Sequence, residues 1–214
     1  MQIQMARHDA KEYRRRLMQG LGRPIISVEH QGYRLVAVGS ELHWSQSWRT
    51  FQDFLFAYIR GVFTPEWGNA ELKKELAQRH ALMQWYQKLC DFQKLHTVQR
   101  NGIYTGEVTG SIKLYLELAY DLYLCAHNAK LIPLLVKRLK NPKTFEGALY
   151  ETFVLGSFVK AGFAIEMEEE DDGTTAHCEF VATHPETGRN FSVEAKAVTS
   201  ESKRAGITSE PPRI

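Results

Sequence analysis

Between Pro24 and Gly39, apolar and polar residues alternate on either side of Gln31-Gly32, so PIISVEHQGYRLVAVG predicts a β-hairpin. From Ser47 to about Lys140 the apolar period becomes helical. Breaks at Gly61 to Pro65, at Asn101-Gly102 and near Thr109-Gly110 divide that stretch into three or four helices. Phe51, Phe54, Leu55, Tyr58 and Ile59 form one apolar stripe; Leu114, Leu118, Leu122 and Cys125 form another. Met83, Trp85 and Tyr86 add large side chains, and such stripes predict a buried core. No internal repeat or low-complexity tract interrupts the pattern.

A new unit begins at KRLKNPKTFEGALYE, where Asn141 suits a helix N-cap and Pro142 the first helical position. The spacing predicts a helix over about 142 to 161, a reversal at Gly162, then strands near 163–168, 176–183 and 190–198. The order is α-β-β-β. The expected organisation is therefore a mainly helical region, 1–140, carrying the hairpin near 24–39, followed by a core over 141–214, and the class is α+β.

Composition narrows the function classes only modestly. The 214 residues, 43% hydrophobic and 24% charged, can bury a real core. The net charge of +2, from 27 basic and 25 acidic residues, is too slight to announce a nucleic-acid protein through bulk electrostatics, so any basic surface must be local. Cys90, Cys125 and Cys178 are odd in number and widely spaced, which suggests neither a disulfide framework nor a zinc knuckle and fits the cytoplasm. The N-terminus lacks an apolar signal core, and charges interrupt the most apolar later stretch; neither signal peptide nor membrane span is expected.

Chemistry concentrates in the C-terminal unit. At 100° per residue, Glu146, Tyr150, Ser157 and Lys160 share a polar stripe facing solvent. Glu151 falls elsewhere, among Gly147, Ala148, Val154, Leu155 and Phe158, so its carboxylate points inward and demands a partner. A buried pair with Arg or Lys is the plainer alternative to a functional role. In NFSVEAKAV, strand alternation puts Phe191, Val193, Ala195 and Ala197 on one face, and Ser192, Glu194, Lys196 and Val198 on the other. A four-residue loop, Pro185 to Gly188, would pair His184 with Arg189, Thr183 with Asn190 and Glu179 with Glu194. Two carboxylates would then stand about 5 Å apart at Cβ, where a bound cation relieves their repulsion. Two exposed glutamates at a sheet edge remain the bland alternative. Glu151, Glu179 and Glu194 together offer hard oxygen ligands suited to Mg²⁺ or Mn²⁺ rather than zinc.

Residues 145–198 resemble the PD-(D/E)xK nuclease superfamily, which includes type II restriction endonucleases, Mrr-like enzymes and junction resolvases. Glu151 lies eleven residues before Gly162, matching the family's helix glutamate before its turn into the first strand. Glu179 takes the place of the strand-two aspartate, and Glu194-Ala195-Lys196 takes the (D/E)xK position. The resemblance implies a restriction-endonuclease-like core with a mixed sheet; with sixteen residues after Val198, the family's closing helix and strand are expected from the N-terminal part or a partner, unless the chain is a fragment or the domain degenerate. It further implies that Glu179, Glu194 and the Ala195 carbonyl bind Mg or Mn, with Glu151 completing or supporting that shell. Lys196 would assist the attacking water. The substrate is expected to be nucleic acid, DNA before RNA. Glu in place of Asp at 179 keeps an alternative in view: a catalytically inactive nuclease-fold module that binds nucleic acid or a protein partner. A helical interaction protein whose strands form a homodimer is a further reading.

Other signals carry less. The acidic run from Glu166 to Asp172 lacks the D-x-D-x-D-G spacing of a calcium loop and reads as a solvated turn. His177 would lie across the sheet from Lys196, where an ordinary strand histidine is the first expectation. Lys137, Arg138, Lys140 and Lys143, and separately Arg14, Arg15 and Arg16, could track a phosphate backbone or simply form solvated helix faces.

Overall fold

The computed structural model describes residues 2–95, 98–100, 103–131, 133–167 and 179–197. The fold is α+β, as the pattern predicts, with seven α-helices and three small antiparallel sheets among the described residues. The opening basic segment forms helix α1, Gln2–Gln19, in which Glu12 pairs with Arg15 at 2.7 Å and Arg16 at 2.9 Å, one turn away. Gly20, at φ 78°, ends it.

The expected hairpin is present as β1, Ser27–His30, and β2, Tyr33–Val38, reversing through Gln31-Gly32 with both residues at positive φ. That is the backbone a tight two-residue hairpin turn requires. A third strand that the pattern did not predict, β3, Glu41–Ser45, pairs on β2.

Five α-helices and a short 3₁₀ turn occupy the region from Ser47 to Lys140, more than the three or four expected. Helix α2, Phe51–Phe63, opens with a reciprocal cap: Thr50 Oγ1 accepts from Asp53 N at 3.2 Å, and Asp53 Oδ2 accepts from Thr50 N at 2.8 Å. Thr64, at φ 64° and ψ 142°, separates it from α3, Pro65–Leu72. The eight residues of α3 present too little periodic surface to be read from sequence. After α4, Ala81–Leu95, the break at Asn101-Gly102 is a small hairpin, β4 Val98–Arg100 with β5 Ile103–Thr105. Helix α5, Gly110–Asn128, and α6, Pro133–Lys140, complete the region.

Helix α5 is the centre of the molecule, packing on α2, α4 and α7, Phe145–Lys160. Leu118, Leu122 and Cys125 of its expected stripe are buried, whereas Leu114 is exposed. Elements before and after residue 140 share one hydrophobic core, which runs from Val36 through Leu122 and Leu155 to Phe180 and Ala182. The last sheet contains β6 Ala164–Met167, β7 Phe180–Thr183 and β8 Asn190–Val193, in that order. Its described strands are antiparallel throughout, a correction to the expected mixed sheet. Among the described residues no helix is long and apolar enough to cross a membrane.

Candidate functional site

Helix α7 starts at Phe145 rather than at Pro142, and local hydrogen bonds explain the shift. Asn141 Oδ1 accepts from Lys143 N at 3.0 Å, closing a turn before the helix. Thr144 donates its hydroxyl to Arg138 O at 2.8 Å, so it satisfies the end of α6 and does not cap its own helix. Glu146 and Tyr150 are exposed as the polar stripe predicts. Lys160, expected in solvent, instead reaches Asp121 of α5 at 3.1 Å. Burial raises the Asp121 carboxyl to about 6, against the attraction of Lys160.

Glu151 is 2% exposed and thus faces inward as its helical position predicts. Its Oε2 accepts from Nη2 of Arg138 on α6, a cation already present in the basic bunch. An inward carboxylate on an apolar helix face needs such a partner, because an isolated buried charge costs several kcal/mol or more.

The β7–β8 register follows the four-residue loop. His184 N donates to Arg189 O at 2.8 Å, Thr183 pairs with Asn190, and Phe180 pairs with Val193. Gly188, at φ 67°, provides the loop's exit. The paired residues end at Phe180 and Val193; Glu179 N still donates to Val193 O at 2.9 Å, and the expected pair of Glu179 with Glu194 is not among those formed. Regular strand ends at Val193, so Glu194 to Ala197 lie beyond it; residues 176–178 of the expected middle strand, with His177 and Cys178, and Val198 fall outside the described residues.

Glu179 leans along the sheet end: its Oε2 accepts from Ala195 N at 2.8 Å. Glu194 pairs with Lys196 at 2.8 Å on the exposed side. That hydrogen bond, with a smaller electrostatic contribution from Glu179, holds the Lys196 proton more tightly than usual.

A cavity of about 660 Å³ lies between the α6–α7 turn and the strand ends. Arg138, Lys143, Glu151, Glu179 and Ala195 line it, with the exposed Glu146 at its margin. The structure therefore brings together Glu151, Glu179 and Ala195. Glu194 and Lys196 stand beside Glu179 without lining the cavity. The donor types suit a hard divalent cation. Among the described residues, however, no three acidic, histidine or cysteine side chains are grouped closely enough to hold one. Sequence reasoning did not assign Arg138 to Glu151; the signal available was a cation thirteen residues upstream, across a turn whose geometry the sequence leaves open.

The arrangement defines an α+β protein with a charged cavity between a helix pair and a hairpin sheet. Compared with known proteins, the chain matches no family model, no curated protein and no solved structure.

Proposed function

We propose that this cavity hydrolyses nucleic-acid phosphodiesters, DNA before RNA, with Mg²⁺ or Mn²⁺ as cofactor. The observation that supports the reading is the meeting of Glu151 and Glu179 on one cavity with Ala195, whose N–H donates to Glu179 Oε2 at 2.8 Å. The resemblance of residues 145–198 to PD-(D/E)xK nucleases supplies the reaction class. Glu179, Glu194 and the Ala195 carbonyl would hold the cation, with Glu151 supporting them. Such a cation would supply polarisation of the phosphodiester and a more acidic bound water.

The chain's own groups divide the remaining work. Lys196, exposed and paired with Glu194 at 2.8 Å, carries its proton at neutral pH as an ordinary lysine does. It therefore orients the water or offsets phosphorane charge, and is not the general base. Lys143 on the cavity wall gives incoming phosphate a cation. We assign the enzyme to the cytoplasm, where thiols such as Cys90 and Cys125 stay reduced.

Supercoiled, linear and branched DNA incubated with Mg²⁺ or Mn²⁺ test the reading. The wild type should cleave at least one form, and Glu179→Ala and Lys196→Ala should each lose about 100-fold or more in rate. Unimpaired cleavage by Lys196→Ala removes the lysine's role, and unimpaired cleavage by Glu179→Ala overturns the site.

One observation favours a second reading, a non-catalytic module that binds nucleic acid or a protein partner. Each carboxylate is already engaged: Glu151 by Arg138, Glu179 by the Ala195 N–H and Glu194 by Lys196. On that reading the wild type binds DNA with no cation-dependent cleavage of any form.

A further inference from the structure

Helices α2, α3, α4 and α5 border a second cavity, of about 460 Å³, that shares no residue with the one beside Glu151. Its walls are mostly apolar and rich in rings. Phe63 and Trp67, from α2 and α3, stand 5.2 Å apart between ring centroids, and Tyr86 and Tyr115, from α4 and α5, stand 5.9 Å apart. Small-molecule sites have this size, about 300–1,000 Å³, and this kind of lining, aromatic with a few polar groups.

Two features of the walls favour an occupant over a packing defect. Gly61 and Gly68 lie within α2 and α3 and border the cavity. Neither has a positive φ, and a Cβ on either would meet nothing within 4 Å. Each therefore gives up as much as about 1 kcal/mol of helix stability relative to alanine with no backbone or steric need for glycine. What the absent side chains leave is open space at the cavity. Between the two helices Thr64 holds φ 64° and ψ 142°. Pro65 accounts for the extended ψ, but nothing local favours a positive φ at a β-branched residue. Such strain costs about 1–3 kcal/mol and concentrates at ligand clamps.

Arg60 gives the cavity its charge. It is exposed, and no acidic residue lines the cavity with it. Its Nε donates to Phe56 O at 3.1 Å, while its Nη groups make no hydrogen bond or ion pair among the described residues. The planar fork of a guanidinium matches a carboxylate. We infer that this cavity binds a small planar aromatic carboxylate, its ring among Phe63, Trp67, Tyr86 and Tyr115 and its carboxylate on Arg60. The site goes beyond the phosphodiesterase reading and does not depend on it.

Titration calorimetry with naphthoate, and with naphthamide as its uncharged counterpart, tests this. The wild type should bind naphthoate saturably and the amide about tenfold more weakly, the size of one charge-assisted hydrogen bond. Arg60→Gln, at an exposed position, should lose about tenfold for naphthoate and leave the amide unchanged. Gly68→Leu, which fills the opening, should lose both ligands while its thermal midpoint stays level or rises, because leucine is the better helix former. Octanoate, matched in charge but without a ring, should bind about tenfold more weakly than naphthoate. The inference is overturned if the wild type does not bind naphthoate, if octanoate binds as well, or if Arg60→Gln or a folded Gly68→Leu binds naphthoate as the wild type does. Arg60→Gln decides the matter even if Gly68→Leu fails to fold.

Discussion

Gly156 shows how one missing side chain sets a helix contact. A Cβ built there would sit 2.5 Å from Asp121 Oδ1, against a buried carboxylate that α5 holds and Lys160 pairs. Neither helix can retreat without opening the core between them. Gly156→Ala should destabilise the protein by about 1–3 kcal/mol despite alanine's better helix propensity, measured by urea unfolding. A variant as stable as wild type would mean that the α5–α7 contact yields easily. At this same scale, Glu151 was legible as inward-facing because helical geometry alone separates it from Glu146. Its pairing with Arg138 was not, since that depends on how the Asn141–Thr144 turn folds α6 back beside α7.

At the scale of elements, two hairpins behave as their turn residues dictate. Gln31 adopts φ 49° beside Gly32 at φ 78°, an unusual conformation for a glutamine. Asparagine tolerates this region better, and Asn-Gly is the strongest short hairpin signal. Gln31→Asn should raise the unfolding free energy by about 0.5 kcal/mol, seen as a higher thermal midpoint, because the substitution relieves local strain and touches nothing else. No change, or a loss, would show that the turn is not strained. The Pro185–Gly188 loop likewise specified the β7–β8 register, since loop length and face alternation admit few pairings. By contrast α1, α3, β3 and the β4–β5 hairpin went unread, being short or lacking a clean apolar period.

Across the whole molecule, buried Asp121, paired with the partly exposed Lys160, couples folding to pH. Burial raises the Asp121 carboxyl to about 6, above its ordinary value of 3.8, so the folded chain holds this proton more tightly than the unfolded chain. Its contribution to stability is therefore greatest below about pH 4, declines as pH rises to about 6, and is level above that. Asp121→Asn cannot ionise, so relative to wild type it should gain stability between pH 4 and pH 7, followed by denaturant unfolding across that range. A constant difference would show that Asp121 keeps its ordinary pKa in the fold. His127 opposes this trend: burial lowers its pKa, and its ring bridges Gly39 N at 3.1 Å and Pro24 O at 3.2 Å. That contribution is present above about pH 6.5 and lost as pH falls.

The sequence by itself determined the α+β class, the first hairpin, the inward turn of Glu151 and the pairing of the last two strands. Each follows from a period, a turn residue or a loop length acting over a few positions. Only the tertiary structure decided that Glu151 meets Arg138, that Asp121 meets Lys160, and that Glu179 bends onto Ala195 while Glu194 turns to Lys196. A charged side chain exposes its demand for a partner locally, but which partner answers depends on how distant helices and strand ends pack.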